Sequence, residues 1–540
     1  MITVYRAAKV ITMDPNRPEA THVAVRDGLV LAVGGPDCAQ PWGEARIDDQ
    51  FADKVILPGL IEAHAHVMAG GIWDYTYCGH YARTDPTGRV WEGVKDYDAI
   101  IARLRGVAAQ TPAGEPIIAW GLDPNFLEGR RFDRDHLDAV STEHPIVVSH
   151  SNFHLMTVNS AALAKVGFDA GTNIEGVMKG ADGRPNGELQ EFAAMRPMCD
   201  AVGYDFLNMA TEHSLRAYGE VARLCGVTTV AELLSDLAED EVAMIERVVH
   251  DPTFPARYVP VMNAMAGAPE AEAERALALR KRSTDKLSLG RAKLFTDGAI
   301  QGYTAKLKAP GYLTGVDNSI WNMERDHYCR AVEALHKAGV KTHIHTNGDA
   351  ASEFAIEVYE EVLRKYPNPD LRHTLEHVQL ATRDQFKRMK ALGLTCNIFG
   401  NHIHYFGDIH WTKTLGPDRA SRMNACRDAV EIFDNEFAIH SDAPITPMAP
   451  LVTAWAAVNR VTEGGRVLGT GQQITVPQAL HCITLGAAHV LKLDHRVGSI
   501  QTGKFADFCV LDRDPLAVDP MELRDVGVVA TILSGEVTGQ

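Results

Sequence analysis

The sequence predicts an α/β protein: a (β/α)8 barrel of the TIM type, a small β-sandwich domain formed by both chain ends, and an inserted subdomain after the first barrel strand. Three features of the 540-residue chain lead there. Eight apolar, β-branched runs alternate with amphipathic helical patterns, as in a parallel barrel whose strands are buried on both faces. Both ends read as short strands parted by turn signals. One connection, after the first core run, is far too long for a single βα loop.

Taken in order, the N-terminal strands are expected over residues 2–4, 9–12, 22–26 and 29–33, with turns at Asp14-Pro15-Asn16 and Asp27-Gly28. The eight core strands are expected over 55–61, 226–234, 256–263, 292–296, 340–345, 373–378, 394–398 and 437–439. Helical patterns between them cover 239–249, 328–338, 351–365 and 383–392. The stretch from 70 to 217 carries strand-like runs of its own, 116–120 and 145–149, and is the inserted subdomain. A shorter insertion runs from 302 to 321, and the Ala- and Glu-rich stretch 264–278 reads as a solvated helix. At the C-terminal end, 497–499 leads through Gly503 to strands at 507–511 and 526–533 and the turn Ser534-Gly535. The boundaries that follow are 1–54 with 486–540 for the composite β domain, 55–485 for the barrel and 70–217 for the insertion.

Composition narrows the function classes. A chain of 46% hydrophobic and 23% charged residues is ordinary for a soluble globular protein. The net charge of −17 argues against nucleic acid or an anionic membrane as the main partner and says nothing finer about substrate; the expected partner is a small-molecule substrate. The nine cysteines are scattered, odd in number and form no CxxC pair, so neither a disulfide framework nor a thiolate zinc knuckle is expected, and a reducing compartment is. The first residues lack the apolar core and cleavage site of a signal peptide. No apolar run approaches the ~20 residues of a membrane span, so the expected location is cytoplasmic.

The chemistry begins at Pro58-Gly59-Leu60-Ile61-Glu62-Ala63-His64-Ala65-His66. Histidines two apart at a strand end point to the same side, so both imidazoles can reach one metal ion from a rigid strand. Two loop histidines on a surface turn would share that spacing. In a (β/α)8 barrel the active site lies at the C-terminal ends of the strands, so those ends decide between the readings. They carry Lys293, His345, His377 and Asp442. Singly, a histidine after a strand is ordinarily a satisfied polar residue, and an aspartate before Ala-Pro a turn former. Lys293 is harder to dismiss. Burying an unpaired ammonium is costly, so it should have a special partner or be modified.

Together these segments resemble the amidohydrolase superfamily, and within it the YtcJ-like branch that includes N-substituted formamide deformylases. The resemblance covers nearly the whole chain: the opening strands, 58–66, Gly226-Val227-Thr228-Thr229-Val230, 293–298, 345–349, Glu376-His377, 441–444 and 498–508. It implies that His64 and His66 bind the more buried metal and that Lys293 is carboxylated by CO2, its carbamate bridging two metals. It implies that His345 and His377 bind the second metal, and that Asp442 binds the first and handles protons. Zinc suits such imidazole and carboxylate ligands; a single ion, or manganese or iron, stays open.

The mechanism so implied is hydrolysis of a C–N bond in an amide, formamide or cyclic amide. A metal-bound hydroxide attacks a polarised carbonyl carbon, with Asp442 as general base toward the water and general acid toward the leaving nitrogen. The same ligands would serve an ester, a lactone or a C–C cleavage. A non-catalytic scaffold or regulatory protein would be expected to have lost ligands, and here all six positions are filled. A homodimer is expected by analogy only.

Substrate contacts are expected from Trp120, Asp123, Asn152 and His154 in the insertion, and from His402 and His404 after the seventh core strand. His154 stands where the branch has a histidine in an Asp-Gly-His-like pattern, but Asn152-Phe153 replace Asp-Gly here. The segment 397–405 departs from the branch's Gln-Pro-containing turn, which points to altered specificity. His343 and His440 read as core or supporting residues, and Trp73, Phe126 and Trp321 as core.

Overall fold

Eight strands lie side by side in one parallel sheet, in chain order: β1 (Leu60–Ala65), β2 (Val227–Ser235), β3 (Arg257–Asn263), β4 (Ala292–Phe295), β5 (Thr342–Thr346), β6 (Thr374–His377), β7 (Thr395–Ile398) and β8 (Ala438–Ile439). This is a computed structural model, and it describes residues 1–539 apart from 154, 205–209 and 317. The period-two pleat sorts each strand's side chains. In β1, Ile61 and Ala63 pack outward with Ala231, Leu233, Val259 and Val261 against the helix Leu485–Val490. Glu62 and His64 alternate with them and take the opposite side.

The sheet nearly closes. Among the described residues β8 and β1 share no ladder, but just past β8 the Asp442 N–H donates to the His64 carbonyl at 3.1 Å. The His66 N–H donates to the Ala443 carbonyl at 2.8 Å. Ser441 adds a side-chain bond, its Oγ–H donating to Glu62 Oε2 at 2.6 Å. The seam of the barrel is thus made by the residues singled out above for metal chemistry.

The chain ends join in a second eight-stranded sheet, ordered Glu536–Val537, Val528–Leu533, Phe508–Leu511, Val55–Pro58, Ile2–Ile11, Glu19–Arg26, Leu29–Gly34, with Ala45–Asp48 also beside Ile2–Ile11. Tyr5, Val10, Val23 and Phe508 bury one of its faces, and Ile2, Val4 and Ala24 the other. The two runs expected at 2–4 and 9–12 are a single strand, whose register against Glu19–Arg26 shifts between Arg6 and Val10 as a bulge. Residues 497–499 form a bend, not a strand.

The core strand expected over 55–61 is two strands divided at Gly59, which corrects the barrel start at 55. Val55–Pro58 pairs antiparallel with Phe508–Leu511 in the terminal sheet, and the barrel begins at Leu60. Gly59 marks the crossing, where a Cβ would lie 1.9 Å from Thr228 Oγ1 of β2. Only glycine permits that approach. The domain boundary expected at 486 falls inside the helix Leu485–Val490, which packs on the barrel, because its Ala487, Ala488 and Val490 match the apolar outer face of β1 to β3. The helix Pro269–Arg280 is not fully solvated, since Ala273, Ala276 and Leu279 are buried along one side.

Barrel and terminal sheet are joined by a buried ion pair. Arg257, first residue of β3, donates from Nε to Asp507 Oδ2 at 2.6 Å and from Nη2 to Asp507 Oδ1 at 3.0 Å. Both side chains are nearly inaccessible. The Ser534 N–H also donates to Asp507 Oδ1, at 2.8 Å, and the guanidinium lies 3.4 Å over the Phe505 ring.

Residues 1–66 with 219–540 form one compact unit, and 67–218 a second. The second has its own six-stranded sheet, ordered Val177–Lys179, Pro185–Gln190, Leu155–Val158, Ile146–His150, Ile117–Leu122, Thr76–Tyr77. Its core includes Ile117, Ala119, Ile146 and Val148, with Leu104 and Leu137 from flanking helices. Among the described residues no helix is long and apolar enough to cross a membrane.

Candidate metal centre

The C-terminal ends of β1, β6 and β8 bring His64, His66, His377 and Asp442 together. His64 Nε2 and His66 Nε2 lie 3.5 and 3.3 Å from Asp442 Oδ1, and His377 Nδ1 lies 4.0 Å from Asp442 Oδ2. Among the described residues two trios of donor atoms fit within 4.8 Å, His64–His66–Asp442 and His64–His377–His440. His377 (φ +68°) and Asp442 (φ +53°) both sit in the left-handed backbone region. Non-glycine residues pay for that conformation, and such strain gathers at functional sites.

Buried carboxylates aim the histidines. His64 donates from Nδ1 to Glu376 Oε2 at 2.7 Å, which turns Nε2 toward Asp442. His66 donates from Nδ1 to Glu232 Oε1 at 3.0 Å, with the same effect. Glu376 further accepts from His343 Nδ1 at 2.6 Å and from Asn397 Nδ2 at 2.9 Å, and Glu232 from the Leu234 N–H at 2.8 Å. A carboxylate behind a histidine fixes its tautomer and presents the other nitrogen's lone pair to a metal.

The electrostatics fit a cation. Burial, with Lys293 and neighbouring rings, holds His64 well below its usual pKa; burial, with His345 and His440, does the same to His377. Both rings are therefore neutral, the form that ligates metal. Burial would lower His66 too, but Glu232 and Asp442 outweigh it and push the ring up to about 9. Burial would raise the Asp442 carboxyl, and the His66 hydrogen bond and charge outweigh that, so its pKa falls. A site that draws a proton between His66 and Asp442 is one where a divalent ion can replace it.

Lys293, within β4, is fully buried and its Nζ has no hydrogen-bond partner. Burial pulls its pKa down to about 8 against the opposing charges of Glu376, Asp442 and Glu232. The ammonium lies 5.0 Å from the Phe295 ring. His345 stands beside His377, ring centroids 4.5 Å apart, with its Nε2 3.2 Å from the Gly298 carbonyl; neither trio includes it.

The expected substrate contacts are placed as follows. His402 is wholly buried at the start of the helix His402–Ile409, stacked on Phe406 with centroids 4.4 Å apart and 2.9 Å from His410 Nε2 through Nδ1. His404 is partly exposed and donates from Nδ1 to the Val461 carbonyl at 3.0 Å. In the second unit, Trp120 is buried among Trp73, Tyr77 and Phe153. Asp123 accepts from the Asn125 N–H at 2.9 Å and from Ser151 Oγ at 3.0 Å, and Asn152 is half-buried. His154 lies outside the described residues.

Sequence reasoning passed over Glu62, Glu232 and Glu376, and read His440 only as supporting, although it reaches ligand distance of His64 and His377. The signal was present. Each glutamate sits inside an apolar β-branched run, as Lys293 does, and a buried carboxylate needs a partner as much as a buried ammonium does.

A family model described as the amidohydrolase family matches residues 52–538. The putative amidohydrolase YtcJ of Bacillus subtilis is 23% identical, over 99% of this chain and 99% of that protein. The N-substituted formamide deformylase of Arthrobacter pascens is 26% identical, over 98% of this chain and 96% of that protein. Among solved structures, an uncharacterized metal-dependent hydrolase from Pyrococcus horikoshii superposes with a TM-score of 0.74 at 20% identity, over 96% of this chain and 99% of that one, and so shares its fold.

Proposed function

The chain belongs to the amidohydrolase family of hydrolases, and on that premise we propose that it cleaves a carbon–nitrogen bond of an amide, formamide or cyclic amide in a small molecule. One observation carries the reading: the Nε2 atoms of His64 and His66 converge on Asp442 Oδ1 at 3.5 and 3.3 Å, each ring fixed from behind by a buried glutamate. That donor set suits zinc, with manganese or iron as substitutes. The cation supplies a Lewis acid that polarises a carbonyl and makes water acidic near neutral pH.

The remaining roles fall to the chain's own groups. His64, His66 and Asp442 would hold a first cation, and His377 and His345 a second. Lys293 would serve as a carbamate: the ammonium would lose a proton, the neutral Nζ would add to the carbon of CO2, and loss of a second proton would leave an anion facing the cations. Its pKa of about 8 leaves an appreciable neutral fraction near pH 7, which this addition needs. Asp442, whose carboxyl pKa the neighbouring His66 holds down, would accept a proton from the attacking water and return it to the leaving nitrogen. The arrangement needs no serine or cysteine nucleophile.

The test is a panel of N-formyl amines, N-acyl amines and cyclic amides run beside aryl esters and lactones with zinc-loaded protein. Turnover of a C–N substrate that is lost in Asp442→Asn supports the proposal. Turnover confined to esters or lactones would move the activity to C–O bonds and overturn it.

A further inference from the structure

At the opposite end of the barrel, where the strands begin, lies a cavity of about 660 Å³. Its lining comes from the segments leading into β4, β5 and β6 and from the stretch after the helix Leu485–Val490. Six of the lining residues are cations: Arg280, Arg291, Lys341, Arg372, Lys492 and Arg496.

Half of that charge is uncompensated. Arg372 pairs with Asp494 at 2.9 Å, Lys492 with Asp370 at 3.0 Å, and Arg496 with Asp285. Arg280, Arg291 and Lys341 have no carboxylate partner among the described residues. Arg280 Nη2 donates to the carbonyls of Gly339 at 3.0 Å and Gly290 at 3.2 Å. Arg291 donates to the Leu491 carbonyl at 2.6 Å and to Ser288 Oγ at 2.9 Å. Lys341 donates to Thr374 Oγ1 at 2.8 Å and to the Arg372 carbonyl.

A solvated basic face would explain exposed cations, but Arg291 and Lys341 are only 8% and 4% exposed. Burying like charges without counter-charge is costly. The cost shows in their acidity: burial lowers Arg291 to about 10, and burial with Arg291 and Arg372 pulls Lys341 well below its usual value. Two buried cations form a floor, and the exposed Arg280 and half-exposed Arg372, Lys492 and Arg496 form a rim.

We propose that this cavity is a binding site for a small organic anion carrying two or more negative charges. The volume lies within the ~300–1,000 Å³ of small-molecule pockets, so the ligand has an organic body as well as charge. Guanidinium forks recognise phosphate and carboxylate alike, and the shared chemistry is the polyanion. The site is separate from the metal centre, which lies at the other ends of the same strands.

The experiment is calorimetric titration of metal-loaded protein with fructose 1,6-bisphosphate, with benzene-1,3,5-tricarboxylate, and with fructose as the uncharged control. Metal content is measured before and after, so that chelation is not mistaken for binding. At least one polyanion is expected to bind with a Kd of about 1 mM or tighter, while fructose does not. Affinity should fall about tenfold or more in Arg280→Gln and in Lys492→Gln, and should weaken as salt is raised. Lys341→Met removes a floor charge; the rim variants keep the test decisive if it fails to fold. Binding of the bisphosphate alone identifies a phosphate ester, and binding of the tricarboxylate a carboxylate or general polyanion. If neither binds, or binding survives both rim substitutions, the cavity is not an anion site.

Discussion

Replacing Glu232 by glutamine separates charge from hydrogen bonding at the metal centre. Glu232 is 2% exposed and accepts from His66 Nδ1 at 3.0 Å and from the Leu234 N–H at 2.8 Å. The amide oxygen of glutamine can take the same two bonds but carries no charge. Full charges at that 3.0 Å separation interact by about 5 kcal/mol at an effective dielectric of about 20, a gross figure that desolvation offsets. Carboxylates behind ligating histidines change metal affinity by about 10–100-fold, or about 1.4–2.7 kcal/mol. We therefore expect Glu232→Gln to bind zinc about 10–100-fold more weakly. The assay is equilibrium dialysis against a graded series of zinc buffers, with bound metal read by mass spectrometry. Because Glu232 acts through His66, adding Glu232→Gln to His66→Ala should cost little beyond His66→Ala alone. A single variant within about twofold of the parent, or fully additive losses in the double variant, would refute the reasoning.

Three further outcomes are expected. Lys293→Ala should lose metal and fall in activity by at least about 10²-fold, read by metal analysis and turnover together; full metal content with full activity would end the carbamate assignment. Asp507→Ala leaves the buried Arg257 guanidinium uncompensated and should cost about 3–5 kcal/mol in chemical denaturation, whereas a loss below about 1 kcal/mol would mean the joint is not held by this pair. Gly59→Ala places a methyl against Thr228 of β2 and should lower the thermal midpoint, at a cost of about 1–3 kcal/mol; an unchanged midpoint would show that the crossing has room to spare.

Much of the barrel was legible because strands buried on both faces are written as β-branched apolar runs, and all eight core runs hold a barrel strand. The first boundary was not legible. Residues 55–61 form one continuous apolar run, and the division at Gly59 is set by Thr228, which stands 169 positions away. The helix Pro269–Arg280 was misjudged because its buried side is made of Ala273 and Ala276, which weigh little in a hydrophobic pattern. Around the metal centre, His64 and His66 were legible from spacing, and Lys293 from the cost of burying it. The glutamates that orient the rings were open to that same argument. The basic cavity was not legible at all. Its cations come from separate segments, and the net charge of −17 conceals a local excess of the opposite sign.

The closing of the barrel has a consequence for how the protein opens. The bonds from Asp442 N–H to the His64 carbonyl and from His66 N–H to the Ala443 carbonyl span the gap that the sheet ladder leaves. In the proposed site the side chains of the same three residues, His64, His66 and Asp442, would hold a cation. On that assignment metal binding would stabilise the closed cylinder, the ion acting as a rivet through both edges of the gap. Chelation should speed amide hydrogen exchange at His66 and Asp442 before it does so in β3 or β4, and zinc should reverse the effect. Uniform exchange along the strands after chelation would mean that the rivet bears no load.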